Sequence, residues 1–256
     1  MAQLTATSLP RSSNPVGRAR AERRFFTGAS ALMLVASVVG FMPTFYARGW
    51  FPERQHYVPP EPFFAWHGAI CTVWLVLVFV QPWLVQRRRL RLHRNLGMVS
   101  VLVAMGVAGT SVYGALLAGI RPGGFMGPPL EPEVFLLVPF LDAGFFALLV
   151  GAGVVWRRSP AVHKRLMLLG SLSMCQAAFV RIQPAGPWSG PVVQFGLTLA
   201  FVVAMARFDR RQLGRVHPVT AWLGLPLFVS EFLRFPIAMT DAWRWVGRAL
   251  LAWMAG

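Results

Sequence analysis

The chain is poor in acidic residues and in cysteine. Its 256 residues hold 9 Asp and Glu against 25 Lys and Arg, and charged residues make up only 13%. A soluble domain carries about 25%. Long stretches therefore contain no charge at all, which excludes an ordinary water-soluble domain. The two cysteines, Cys71 and Cys175, are too few for a disulfide scaffold. No CxxC or Cys/His spacing supports a structural zinc site. Both cysteines fall in apolar segments, where cysteine serves as a small packing residue. Strand alternation is missing as well, so no GxGxxG or Walker-type loop follows a strand. Gly-x-Ser-x-Gly and His-Glu-x-x-His are absent. Nucleotide chemistry and the familiar hydrolases are left without support, and the sequence favours a non-enzymatic membrane protein, either an accessory of a larger assembly or a small carrier.

What is present is apolar. Hydrophobic residues make up 55% of the chain. Runs of about 20 such residues match the thickness of a bilayer's hydrocarbon core. Seven are legible, at residues 25–46, 63–85, 97–119, 134–156, 166–180, 191–206 and 219–239. They are too long and too uniformly apolar for barrel strands, and in lipid the backbone must satisfy its own polar groups. The expected fold is all-α, a seven-helix transmembrane bundle.

The net charge of +16 is distributed like a topology signal. Lys and Arg number five in 1–24, five in 86–96, four in 157–165 and four in 207–217. The intervening connections balance Arg48, Arg54, Arg121 and Arg181 with Glu53, Glu61, Glu131 and Glu133. This alternation is the positive-inside pattern. It places the protein in a bacterial inner membrane, with the N-terminus cytoplasmic and the C-terminus periplasmic or exterior. The basic turns then meet anionic lipid headgroups, and nucleic acid is not a partner. A membrane-protein partner or a homo-oligomer is compatible with the sequence.

A repeat organises the chain. Arg87-Arg88 precedes His93, Arg157-Arg158 precedes His163 and Arg210-Arg211 precedes His217. Each copy leads into an apolar run, so the bundle reads as repeated helix hairpins. Three segments follow: a basic tail over 1–24, disordered by composition, a membrane domain over 25–240, and 241–256. In the last, Asp241, Arg244 and Arg248 share one helical face while Trp243, Leu250, Leu251 and Trp253 supply apolar surface. That pattern predicts a C-terminal amphipathic helix lying at the interface. Gly106, Thr110, Gly114 and Ala118, spaced by four, predict close helix packing and a central place for the third span.

Three sets of residues are candidates for chemistry. The first is a polar cluster expected in the outer half: His67, Asp142, Arg181, Glu231 and Arg234. At about 1.5 Å per residue, Asp142 lies roughly 12 Å inside its span, Arg234 roughly 7 Å and His67 roughly 6 Å. Charges at such depth cost about 2.5–3.5 kcal/mol each unless paired or hydrated. The set reads either as a proton- or anion-handling carrier site or as an ion-pair network holding the bundle. The second is the set of repeat histidines, His93, His163 and His217. They would serve either as axial ligands of a b-type haem or as interfacial caps among arginines. The third is the seam His67, Cys71, Trp74 and Gln81 on one face of the second span, a pair of metal donors or a buried polar stripe.

The chain resembles a group of uncharacterised bacterial multi-pass membrane proteins. The resemblance rests on Gly40-Phe41-x-Pro-Thr-Phe-Tyr, His67…Trp74…Gln81, His93-Arg94-x-Leu-Gly97, His163-Lys164-Arg165-Leu166-Met167, Arg181 and Arg234…Thr240-Asp241-Ala242-Trp243. It covers most of the chain from the first span onward and implies fold and location without a reaction. A looser likeness to cytochrome b561-type bundles implies haem between helices.

Overall fold

The computed structural model describes residues 15–51, 62–121 and 130–256. The described residues are all-α. The helices are α1 (Pro15–Phe41), α2 (Pro62–Gln86), α3 (Leu90–Ile120), α4 (Pro132–Val155), α5 (Pro160–Phe179), α6 (Ser189–Leu213), α7 (Leu225–Ala238) and α8 (Asp241–Ala255). A π-helical turn, Met42–Tyr46, extends α1, and another, Thr220–Gly224, leads into α7. Six segments are long and apolar enough to cross a membrane: Val16–Tyr46, α2, α3, α4, α6 and Thr220–Ala238. The chain is a multi-pass membrane protein.

Two sequence expectations need adjustment. The tail expected to be disordered over 1–24 falls partly outside the described residues, but α1 already begins at Pro15. Phe25 stacks on Phe208 of α6 at 4.2 Å between centroids, and Lys164 of α5 pairs with Glu22. These contacts hold the basic start of α1 against the bundle as helix. The central helix is α5 rather than α3. Twelve residues of α5 are buried, against eight of the longer α3, and α5 touches α1, α2, α4 and α6. A helix enclosed by other helices need not be lipophilic, so Ser171, Ser173 and Gln176 are tolerated on it. Together with His163, Lys164 and Arg165 at its start, those residues explain why α5 falls short of a spanning composition. The small-residue face of α3 instead receives α2: Gly114 lies where a Cβ would meet the Phe63 ring at 3.0 Å.

The turns sort by charge. Residues 87–89 join α2 to α3, and residues 156–159 join α4 to α5. His93 and His163 each occupy the fourth position of the helix that follows. Arg18 of α1 donates to the Gln212 carbonyl at 2.5 Å, which brings the start of α1 and the end of α6 to this same basic end. At the far end, α8 closes over α3 and α4. Its Thr240 N-cap hydroxyl accepts from the Trp243 N–H at 3.3 Å, satisfying one of the helix's free donors. Trp243, Leu250, Leu251 and Met254 pack on Ala115, Leu116 and Leu136. Trp245 and Trp253 remain exposed.

Candidate functional site: a polar network between α4, α5, α6 and α7

The deepest polar group begins with Asp142 on α4. Arg234 on α7 donates from Nη2 to Asp142 Oδ1 at 3.1 Å. Glu231 lies three residues before Arg234, so one face of α7 carries both. Gln194 of α6 donates to Glu231 Oε2 at 3.4 Å. Thr198, one turn further along α6, donates to Gln176 Oε1 of α5 at 3.1 Å, and Ser173 of α5 donates to the Asp142 carbonyl at 3.2 Å. Four helices therefore contribute to one network. Glu231 is 1% exposed and Arg234 3%.

Its hydrogen bonding is incomplete. Glu231 Oε1 and Arg234 Nε are buried without partners. Leaving a buried neutral polar atom unpaired costs about 1–3 kcal/mol, and an unpaired buried ion costs several kcal/mol after relaxation. Such defects are few in packed interiors and each calls for an explanation. Among the described residues Thr27, Thr44, Trp74, Arg121 and Arg244 carry one as well, but only here do two fall in one network.

An apolar layer separates this network from the far end. Val134, Leu137 and Ala238 are buried there, with Leu141 and Trp243 packed on them. Beyond the layer a cleft of about 230 Å³ is lined by Leu130, Glu131, Val134, Met239 and Arg244. Met239 is five residues from Arg234, about 8 Å along a helix. Pro139 in α4 and Pro236 in α7 lie within three residues of the ion pair. Each removes an intrahelical hydrogen bond, so both helices are weakened at the level of the apolar layer.

The structure brings Asp142, Glu231 and Arg234 together and leaves out two expected members. His67 faces α3, where its Nδ1 bonds Thr110 Oγ1 at 3.0 Å, because α2 packs on α1 and α3. Arg181 follows α5, donates to the Ala177 carbonyl and lies over the Phe41 ring at 4.9 Å. Gln176, Gln194 and Thr198 were missed from sequence, since a neutral polar residue within a span has no signature of its own. The seam of α2 lines one side of the interior: Cys71 Sγ is 3.7 Å from His67 Nε2, Trp74 meets Phe146 edge to face, and Gln81 bonds Ser100.

The repeat histidines do not form one group. His163 Nδ1 bonds the Gly153 carbonyl at 2.8 Å, leaving Nε2 free. His93 lies within electrostatic range of His163. The Gln81 amide satisfies its neighbours in one orientation, with its nitrogen donating to His93 Nδ1 at 2.5 Å and its oxygen accepting from Gly97 N–H at 3.0 Å. His93 Nδ1 is then an acceptor and Nε2 carries the proton. An imidazole that ligates through Nε2 needs the opposite arrangement, which the other orientation of the same amide, with its oxygen accepting from Nδ1, would supply. His217 belongs to a different cluster. Its Nδ1 accepts from Val219 N–H at 3.2 Å. Burial, then the charge of Arg165, holds its imidazole below the ordinary histidine range, which keeps that acceptor free.

That cluster centres on Asp209, a residue the sequence reading passed over. Asp209 accepts from Arg165 Nε at 3.1 Å, from His217 N–H at 3.1 Å and from Thr220 Oγ1 at 2.6 Å. Arg165 and Asp209 are each 1% exposed. Asp209 is the one acid in 207–217, which was the available signal. Both carboxylate oxygens have donors here, so this cluster is a structural clasp joining α5, α6 and the start of α7. Among the described residues no three His, Cys, Asp or Glu side chains converge as a metal site.

No protein-family model, curated protein or solved structure matches this chain.

Proposed function

We propose that this protein is a non-enzymatic small carrier of the bacterial inner membrane, with Asp142, Glu231 and Arg234 as its working site. The observation that carries this reading is the pair of unpartnered polar atoms on Glu231 and Arg234, buried in a spanning helix. The Arg165–Asp209 clasp closes its hydrogen bonds, whereas this network leaves one atom open on an acid and one on the cation that it shares with a second acid. An ionisable residue inside the membrane is by default a candidate for an ion or substrate pathway. The cleft, the apolar layer and the two prolines supply an entrance, a barrier and weak points in the barrier. The positive-inside pattern puts the cleft on the exterior face.

The test is chemical access. In a chain with Cys71→Ser and Cys175→Ser, Gln194→Cys places a thiol beside Glu231. In intact cells it should react with a small membrane-impermeant thiol reagent, faster than a cysteine at the buried Leu172. No reaction at position 194 from the exterior would make the network a sealed structural element. A b-type haem is the second reading, favoured by the Nε2 of His163, which has no partner among the described residues. A haem Soret band from the purified chain that disappears in His163→Ala would support it.

A further inference from the structure

The charges in the network between α4 and α7 do not balance. Asp142 and Glu231 share a single guanidinium, Arg234. The groups around Glu231 are Asp142 from α4, Gln194 and Thr198 from α6, and Arg234 from α7, with Gln176 of α5 behind Thr198; α8 also packs on α7, but its Arg244 and Arg248 are paired with Glu131 and Glu133. Of the groups around Glu231, only Asp142 and Arg234 carry charge. With both acids ionised, the site would hold one net negative charge in the buried interior, with only neutral polar groups and one guanidinium around it. One proton cancels it.

The geometry says where that proton sits. Arg234 directs Nη2 to Asp142 at 3.1 Å, so Asp142 has its counter-ion. Glu231 has one long hydrogen bond, from Gln194 to Oε2; the Thr198 hydroxyl lies beside the carboxyl but its single proton is directed to Gln176 Oε1 and the Gln194 carbonyl, and Oε1 has no partner at hydrogen-bond distance. An ionised carboxylate has about four lone-pair sites and gathers donors to them. Asp209 does so in this same chain, with Arg165, Thr220 and the His217 N–H around it. Glu231 has the environment of a neutral acid and Asp142 that of an anion.

We infer that this site binds one exchangeable proton per chain, carried on Glu231 while Asp142 stays paired to Arg234. The inference rests on the carrier reading and names its coupling ion. It also supplies a switch. When Glu231 loses its proton, Arg234 has a second anion within reach on its own helix face, and its Nε is still unpartnered. Movement of the guanidinium toward Glu231 loosens the one ion pair between α4 and α7 among the described residues. The two helices that carry Pro139 and Pro236 are then freed to separate at the apolar layer.

The experiment is infrared spectroscopy of the full chain in proteoliposomes, in light and heavy water at neutral pH. The carbonyl stretch of a protonated carboxylic acid is distinct from that of a carboxylate and shifts on deuteration. The wild type should show one such acid. Glu231→Gln should show none. Arg234→Gln, which removes the only cation, should show two. A wild type with no protonated acid, a band that survives in Glu231→Gln, or a band that does not shift in heavy water would each overturn the inference. Access at position 194 separates the two ideas. Labelling without a protonated Glu231 defeats the proton and leaves the carrier. A deuterating Glu231 without labelling leaves the proton and defeats the carrier.

Discussion

Two buried arginines in this chain illustrate what a charge in the interior is for. Arg165 is fully engaged, donating to both oxygens of Asp209 and, from Nη1, to the Ala161 carbonyl at 2.6 Å. Arg234 holds one acid and leaves Nε empty. Removing one partner of a buried pair strands the other and costs about 3–5 kcal/mol, whereas replacing both by apolar residues is far less damaging. Arg165→Met should therefore lower stability in detergent by about 3–5 kcal/mol, and Arg165→Met with Asp209→Leu should recover part of that loss. Thr220 and the His217 N–H would still lack their acceptor, so recovery should be incomplete. The check is thermal unfolding of the two variants. A double variant no better than the single would show that Asp209 is held by Thr220 and His217 rather than by Arg165. The sequence made Asp142, Glu231 and Arg234 legible because a charge in an apolar run stands out. His67 and Arg181 stood out equally and are placed elsewhere, since depth alone does not say which neighbour a helix face meets. Asp209 hid among arginines, where one acid reads as part of a charged turn.

At the scale of elements, hydropathy locates helices well and ranks them poorly. All seven expected runs are helices, and their far-end boundaries lie within a few residues of expectation. At the basic end α1, α3, α5 and α6 run on by six to ten residues, because arginine and lysine are good helix formers and their long stems can reach water. The ranking fails for α5, the weakest apolar run and yet the best buried helix. Lipid selects apolar surface; a helix surrounded by protein answers only to packing. The final helix was legible from its spacing. Arg244 pairs with Glu131 and Arg248 reaches Glu133 at 3.4 Å, as a charged stripe on one face allows. Its seat was not legible, because it depends on Gly247. A Cβ there would lie 2.8 Å from Glu133 Cβ and 3.0 Å from the Glu133 carbonyl oxygen. Gly247→Leu should force α8 away from α4 and cost about 1–3 kcal/mol, the usual range for overpacking. Ala249→Leu, at an exposed position of the same helix, should be close to neutral. Equal thermal stability of both variants would mean that α8 is not seated against Glu133.

At the scale of the whole molecule, the arrangement depends on whether α5 crosses the membrane. Its 20 residues span about 30 Å at 1.5 Å each, enough for the hydrocarbon core. Its composition falls short of the other six. We propose that it does cross, and the basic turns supply the argument. Residues 156–159 and the start of α5 carry Arg157, Arg158, Lys164 and Arg165, and the end of α6 carries Arg207, Arg210, Arg211 and Arg215. Both groups favour the cytoplasmic face. Between them α6 crosses once, so α5 must cross as well for the two groups to share a side. The clasp of Arg165 with Asp209 and the bond from Arg18 to Gln212 agree, since they join residues of α1, α5 and α6 at one end. Reporter fusions after Arg165 and after Gly186 should accordingly read cytoplasm and exterior. Matching signals from the two would remove α5 as a span. It would also put the two basic turns on opposite faces, where Arg165 and Asp209 could not meet. The network around Glu231 would lose Gln176 and Ser173 with it, and the proton site proposed here would have no fourth wall.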